Sequence, residues 1–175
     1  MKKFGMLALA LALLIALALV SPAMSKNKFE KEVDKEAAAV KLLREAKSGG
    51  YDTVTTEELK KWMDSGKDMI VVDTMPYESS YKKGHIPGAK QFLFPIPIMQ
   101  GWDVNETGGM SKNDFEKLLG PDKDKTIVIY CGFVKCTRSH NGALWAKKLG
   151  YKNVYRHPGG IFAWRGAKFR VETVK

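Results

Sequence analysis

Two cysteines stand in the stretch TIVIYCGFVKCTRS, residues 126–139, whose residue types could support nucleophilic chemistry. Cys131 directly follows five residues that are typical of a short buried strand. The loop after it carries Lys135, Cys136 and Arg138. Main-chain N–H groups in such a loop and two nearby cations favour a thiolate over a thiol. We therefore expect Cys131 to be a better nucleophile than an exposed free cysteine. The alternatives are a buried structural thiol and a disulfide with Cys136.

The elements that must position these cysteines alternate between strand and helix. Strand patterns occur at 51–54, 69–72, 90–93, 126–130 and 152–155. Helix starts are signalled by Thr55 with Glu58 and by Ser111 with Asp114, and a further helical pattern covers 139–150. Strands that alternate with helices through short loops indicate a parallel sheet covered on both faces. The sequence therefore predicts an α/β fold with Cys131 at a sheet edge where ligand sites collect.

The amino terminus has the layout of a secretory signal peptide. Lys2 and Lys3 precede an unbroken apolar run over 6–20, and small residues follow it, so we assign residues 1–25 to the signal. The run is shorter than the roughly 20 residues that a comfortable membrane span needs. The sequence thus predicts an exported, periplasmic protein. A signal that stays uncleaved would associate the protein weakly with a membrane.

The remaining chain is long enough for one domain with a real core. Residues 26–50 read as a charged amphipathic leader helix ended by a short Ser-Gly-Gly linker, and residues 51–175 read as the main domain. The net charge of +10 is spread along the chain, and no nucleic-acid-binding signature accompanies it, so we predict no nucleic-acid partner. The charge suits the steering of small anions. Two cysteines five positions apart exclude a disulfide-built scaffold, and their spacing lacks a metal-ligand set. We predict no metal and no cofactor.

Several spaced motifs together resemble the rhodanese family of sulfurtransferases. They are Val71-Val72-Asp73, GHIPGA at 84–89, IVIYC ending at Cys131, RS at 138–139, GYKNVY at 150–155 and PGGIFAW at 158–164. The resemblance covers about residues 51–170, nearly the whole mature chain. It implies a single domain with a central parallel sheet of about five strands and helices on both faces.

The resemblance also implies an activity. In that family the cysteine after the central strand takes a sulfane sulfur from thiosulfate or a persulfide donor and passes it to a thiol or cyanide, and Cys131 matches that position. The partners would be a small anionic donor and a thiol acceptor. Catalytic roles would fall to Cys131 and Cys136. The substrate-binding residues would be those of the loop: Gly132, Phe133, Val134, Lys135, Thr137, Arg138 and Ser139.

The chain departs from the family pattern at two places. Arg138 lies seven positions after Cys131 instead of five, and the longer loop contains Cys136. We favour Cys131 as the nucleophile because it keeps the strand-end position. Cys136 would then be a resolving thiol that attacks a persulfide or sulfenate and leaves a disulfide. Met75 stands near a point where many rhodaneses carry an arginine, so anion-binding charge is missing there.

Two other functions stay open at this stage. The first is a thiol redox or sulfur-binding module in which Cys131 and Cys136 cycle through a disulfide. The second is a non-catalytic rhodanese fold that binds a protein through the leader helix and the irregular loop at 94–109.

Overall fold

The computed structural model describes residues 26–174. Residues from Glu36 onward form one compact unit, and residues 26–35 do not belong to it. The predicted signal segment, residues 1–25, lies outside the described residues. Within 26–174, no helix combines the length and the apolar character that crossing a membrane requires.

Five strands and five α-helices follow one another through the described residues, with a short 3-10 helix at Tyr81–Lys83. The strands are β1 (Asp52–Thr53), β2 (Met69–Asp73), β3 (Lys90–Gln91), β4 (Thr126–Tyr130) and β5 (Asn153–His157). The helices are α1 (Lys28–Gly49), α2 (Thr56–Asp64), α3 (Lys112–Leu119), α4 (Arg138–Lys148) and α5 (Gly160–Gly166). The strands pair in the order β1-β5-β4-β2-β3, and every pair is parallel. The predicted five-stranded parallel sheet is confirmed.

Local polar side chains begin two of the helices as the sequence predicts. The Thr55 hydroxyl accepts the N–H of Glu58, and the Glu58 carboxylate accepts the N–H of Thr55 at 2.9 Å, which completes a capping box for α2. Ser111 and Asp114 cap α3 in the same way. These reciprocal bonds satisfy N–H groups that have no partner inside the helix. The leader helix α1 runs to Gly49, further than the sequence pattern predicts.

Both faces of the sheet are buried. The core on one face contains side chains of β4, α3 and α4: Ile127, Ile129, Phe115, Leu119 and Ala143. The core on the other face contains side chains of β4, α2 and α5: Val128, Tyr130, Leu59, Ile161 and Trp164. Because neighbouring residues of a strand point to opposite faces, β4 supplies both cores in alternation. This arrangement confirms the predicted α/β architecture.

The carboxyl ends of β2, β4 and β5 meet at one edge of the sheet. Tyr130 at the end of β4 is in register with Asp73 of β2 and His157 of β5. The N–H and the hydroxyl of Thr74 both donate to the Tyr130 carbonyl, at 2.9 and 2.8 Å. The loop after β4 therefore starts at the centre of this edge, where the switch points of open α/β sheets place their ligands.

Candidate active site

The loop between β4 and α4, residues 131–137, folds back on itself and brings its two cysteines together. The N–H of Cys136 donates to the Phe133 carbonyl at 3.0 Å and closes a turn. Both thiols are free, and the Sγ atom of Cys131 lies 3.4 Å from the Cys136 carbonyl oxygen. Each of the two thiols therefore shifts the pKa of the other.

The start of α5 packs directly on the first peptides of this loop. The N–H groups of Ile161 and Phe162 donate to the carbonyls of Cys131 and Gly132, at 2.9 and 3.0 Å. Gly160 has a φ of +57°, and a Cβ atom added to it would lie 2.1 Å from the Cys131 carbonyl oxygen. Glycine is required here both by the left-handed backbone and by the close approach of the loop.

Cys131 occupies the strand-end position that the sequence predicts, but its side chain is buried. The residue is 1% exposed, and its Sγ atom lies 3.4 Å from the Cys136 carbonyl oxygen and 3.3 Å from the Ser139 hydroxyl. Burial raises the pKa of the Cys131 thiol far above its ordinary value, and the contact with Cys136 raises it further. This mainly apolar burial opposes the thiolate that the sequence pattern favours at Cys131.

Cys136 is half-buried and has the opposite electrostatic environment. The pKa of its thiol is lowered to about 6, first by a hydrogen bond from the Cys131 thiol. Burial works against this shift, whereas the N–H groups of Arg138 and Gly132 and the charge of Arg138 support it. This shift favours the thiolate of Cys136, which is the nucleophilic form of a cysteine.

Cys136 also lines a cavity of about 480 Å³. Two cationic side chains and four large apolar ones contribute to its wall: Lys135, Arg138, Met75, Ile96, Phe133 and Phe162. Many rhodaneses carry an arginine near the position of Met75. In this chain the position supplies apolar surface to the cavity instead of a positive charge. The cavity therefore presents a thiolate, cations and apolar surface to the same volume.

The predicted substrate-binding residues divide into two groups. Phe133, Lys135 and Arg138 line the cavity, and Gly132 offers its N–H to Cys136. The other three instead bind residues behind the loop: Val134, Thr137 and Ser139. Within residues 26–174, no cluster of three or more histidine, cysteine or carboxylate side chains could hold a metal ion.

Arg156 of β5 holds the loop from behind, and the sequence analysis did not single it out. Its side chain is fully buried, and its Nε donates to the Ser139 hydroxyl at 2.9 Å. Its terminal nitrogens donate to the carbonyls of Val134 and Cys136, at 3.2 and 2.8 Å. The sequence held one signal for this role, an arginine within the strand sequence NVYRH. An arginine that is buried in a strand needs a partner for its charge.

Asp73, at the end of β2, is buried beside the site with an incompletely paired carboxylate. Its Oδ1 accepts the N–H of Met75 at 2.8 Å, whereas its Oδ2 has no hydrogen-bond partner among residues 26–174. Burial is the main cause that raises the pKa of Asp73 to about 6. Between about pH 4 and 6 the folded protein therefore holds a proton that the unfolded chain has lost. The contribution of Asp73 to the free energy of unfolding therefore falls as the pH rises through this window.

We predict that Asp73→Asn stabilises the protein at neutral pH. Asparagine keeps an oxygen for the Met75 N–H but carries no charge to bury, so the gain is about 1–3 kcal/mol at pH 7 and disappears near pH 4. Urea unfolding of both proteins at these two pH values measures it. An Asp73→Asn protein that is less stable at pH 7 would show that the carboxylate is stabilising.

Known proteins resemble this chain in sequence and in fold. Residues 55–167 match the model of the family described as "Rhodanese-like domain". A "Probable adenylyltransferase/sulfurtransferase MoeZ" of Mycobacterium tuberculosis is 30% identical over 120 residues, which are 68% of this chain and 26% of that protein. The "Sulfur carrier protein TtuD" of Thermus thermophilus is 36% identical over 93 residues, which are 51% of this chain and 30% of that protein.

A solved structure also shares the fold. The crystal structure of thiosulfate sulfurtransferase from Pseudomonas aeruginosa has a TM-score of 0.57 at 20% identity, over 79% of this chain and 23% of that one. The chain thus spans only about a quarter to a third of the length of these three proteins. The family match covers four strands, β2 to β5, and four helices, α2 to α5, and so includes the cysteine loop. The protein belongs to the rhodanese-like domain family, a family of sulfurtransferases.

Proposed function

We propose that this protein is an exported sulfurtransferase that carries a sulfane sulfur as a persulfide on Cys136. The donor is thiosulfate or a persulfide, and the acceptor is a thiol or cyanide. One observation carries the proposal: the cysteine whose pKa is lowered to about 6 is also the cysteine that lines the cavity. Cys131 has the supporting role of a protonated hydrogen-bond donor. This assignment reverses the roles that the strand-end position favours.

The transfer takes place in two displacement steps. The Cys136 thiolate attacks the outer sulfur of thiosulfate, a sulfur–sulfur bond forms, and sulfite leaves with the electron pair of the broken bond. The acceptor thiolate or cyanide then attacks the terminal sulfur of the persulfide. The Cys136 thiolate is the leaving group of this second step, so the protein returns to its starting state with no net oxidation.

The loop supplies the electrostatic stabilisation that both steps need. The N–H groups of Gly132 and Arg138 point at the Cys136 sulfur, so they stabilise negative charge on the thiolate and on the persulfide. Lys135 and Arg138 line the cavity and attract an anionic donor.

The pH dependence of sulfur loading tests this proposal. Only the thiolate reacts, so we expect the rate of loading from thiosulfate to rise about tenfold per pH unit below pH 6 and to level off near neutral pH. Intact mass spectrometry after short reactions with thiosulfate follows the loading. A rate that keeps rising to pH 9 would instead indicate an ordinary, unactivated thiol.

The placement of both thiols in one short loop, with Cys131 Sγ 3.4 Å from the Cys136 carbonyl oxygen, favours a second candidate function, cycling between dithiol and disulfide. We rank it second because the buried Cys131 resists the deprotonation that disulfide exchange requires. Thiol counting with and without a reductant separates the two. A catalytic sulfurtransferase keeps two titratable thiols per chain through many turnovers, whereas a redox module loses both.

The wall of the cavity favours an organic thiol over cyanide as the acceptor. Phe133 and Phe162 remain 47% and 61% exposed, with ring centroids 5.5 Å apart. Exposed apolar side chains clustered beside a reactive group mark a binding surface. The part of the wall around Ile96 is held in place, because the buried Asn141 donates to the carbonyls of Pro95 and Pro97 on either side of Ile96, at 2.9 and 2.8 Å.

We predict that Phe162→Ala selectively slows transfer to aromatic thiols. The loss should be roughly fivefold, since an aromatic contact contributes about 1 kcal/mol, while transfer to cyanide stays unchanged. Single-turnover transfer from the loaded protein to 2-phenylethanethiol, 2-mercaptoethanol and cyanide measures it. Phe29→Ala is the matched control because Phe29 is 73% exposed on α1. Equal losses with all three acceptors would exclude an apolar subsite at Phe162.

A further inference from the structure

The leader helix α1 lies before residue 55, where the family match begins, yet its carboxyl-terminal half contacts the cysteine loop. Lys41 Nζ donates to the Lys135 carbonyl at 3.3 Å and to the Thr137 hydroxyl at 3.1 Å. Both acceptors belong to residues that flank Cys136 in the chain. A segment outside the matched family domain therefore touches the loop on both sides of the sulfur-carrying residue.

Glu45, one helical turn after Lys41, pairs with the arginine behind the loop. Its two carboxylate oxygens accept hydrogen bonds from Lys41 and from Arg156, each at 2.5 Å. Burial alone would raise the pKa of Glu45, but the hydrogen bonds from these two cations outweigh burial and lower it. Glu45 is therefore an ionised, buried counterion.

Arg156 connects Glu45 to the cysteine loop through hydrogen bonds on both sides. Each of its five N–H groups has a partner within the described structure: Glu45, Tyr51, Val134, Cys136 and Ser139. Because the guanidinium group is planar and rigid, its pairing with Glu45 fixes where the carbonyls of Val134 and Cys136 point. These two carbonyls belong to the peptide groups that precede Lys135 and follow Cys136, so their bonds to Arg156 hold the backbone on both sides of the Cys136 side chain.

We infer that Lys41 and Glu45 of the leader helix are positioning residues of the active site, which act through Arg156 and the loop carbonyls to hold the sulfur-carrying loop in its reactive conformation. The inference rests on the proposed function. It makes α1 a working part of the sulfur-transfer site, in addition to the family domain.

Substitution of Lys41 tests the inference with little risk to folding, since its side chain is partly exposed. We expect Lys41→Ala to slow sulfur loading roughly tenfold, because small displacements of a reacting group have large effects on rate. Lys47→Ala is the matched control: it removes the same charge from an exposed position on the same helix, and we expect a change below about twofold.

The salt dependence of this defect separates positioning from the attraction of an anion. High salt screens exposed charges, so a defect caused by lost attraction would disappear in it. We expect the Lys41→Ala defect to persist. Equal rates for Lys41→Ala and Lys47→Ala, or a defect that high salt removes, would overturn the inference. Absence of sulfur loading in the unsubstituted protein would instead contradict the proposed function.

Arg156→Lys provides a second readout, the pH profile of Cys136. Lysine keeps the charge but loses the planar group that binds two loop carbonyls, so a changed profile reports loop geometry. The titratable and charged groups around Cys136 and the loop that holds it are Lys41, Glu45, Asp73, Cys131, Lys135, Arg138 and Arg156. We expect the midpoint of Cys136 alkylation to move about one unit towards alkaline pH in Arg156→Lys and in Glu45→Gln. An unchanged midpoint in both folded variants would overturn the inference.

Discussion

We expect replacement of Cys136 with serine to abolish sulfur loading and replacement of Cys131 with serine to leave most of it. The reason is the division of roles between the two thiols. Cys136 lines the cavity and its pKa is lowered to about 6, while Cys131 is buried and protonated. A serine at position 131 still offers a hydroxyl donor to the Cys136 thiolate. Intact mass after thiosulfate treatment and thiocyanate formation with cyanide measure both variants.

Cys131→Ala is the variant that isolates the hydrogen bond. Alanine has no donor, and a hydrogen bond to a charged group contributes about 1.5–3 kcal/mol. The pKa of Cys136 should therefore rise by about one to two units in Cys131→Ala, with a large loss of rate at pH 6 and recovery near pH 9. If Cys131→Ser were inactive and Cys136→Ser were active, the persulfide would have to be assigned to Cys131.

Gly160→Ala has the largest expected effect on the fold around the site. A Cβ atom at this position meets the main chain of Cys131 and Gly132, which has no flexible end to move aside. The bonds from α5 to the loop would have to break or lengthen. Overpacking and the left-handed backbone together should cost about 3 kcal/mol or more. We expect the variant to lose sulfur loading as well, because the loop amides move away from Cys136.

Gly166→Ala is the matched control for this prediction. Gly166 ends the same helix, and a Cβ atom there would meet nothing within 4 Å. Replacing a helical glycine with alanine stabilises by up to about 1 kcal/mol. Thermal unfolding measures the stability of both variants, and intact mass after thiosulfate treatment measures their sulfur loading. Wild-type stability and loading in Gly160→Ala would mean that α5 does not brace the loop.

Much of the fold could be predicted from local sequence patterns. The apolar runs of β2 and β4, and the Thr55–Glu58 and Ser111–Asp114 capping boxes, are each set by neighbours within a few positions. Such patterns need no knowledge of the distant chain. The position of Cys131 at the sheet edge follows from them, since it comes directly after a buried strand.

The roles inside the loop could not be predicted in the same way. Whether Cys131 or Cys136 faces the cavity depends on how the loop turns, and that turn depends on Arg156 of β5 and on Glu45 of α1, which lie 20 residues after and 91 residues before Cys136. In sequence, Glu45 looks like any other charge on an amphipathic helix. Contacts at such separations carry no local signal.

The composition of the cavity wall also depends on contacts between distant parts of the chain. Ile96 and Phe162 come from a loop and a helix that are far apart in the chain, and both meet the cysteine loop only in the folded sheet. The preference for apolar acceptors that we propose therefore depends on tertiary structure. The sequence shows only that both side chains are apolar.

The central claim is that Cys136 carries the sulfur, and one measurement locates the sulfur directly. The protein is treated with thiosulfate, its persulfide is trapped by alkylation, and a lysine-specific protease then separates the two cysteines, because Lys125, Lys135 and Lys147 bound two different peptides. We predict the additional sulfur atom on the peptide 136–147. A sulfur atom on the peptide 126–135 would contradict the account.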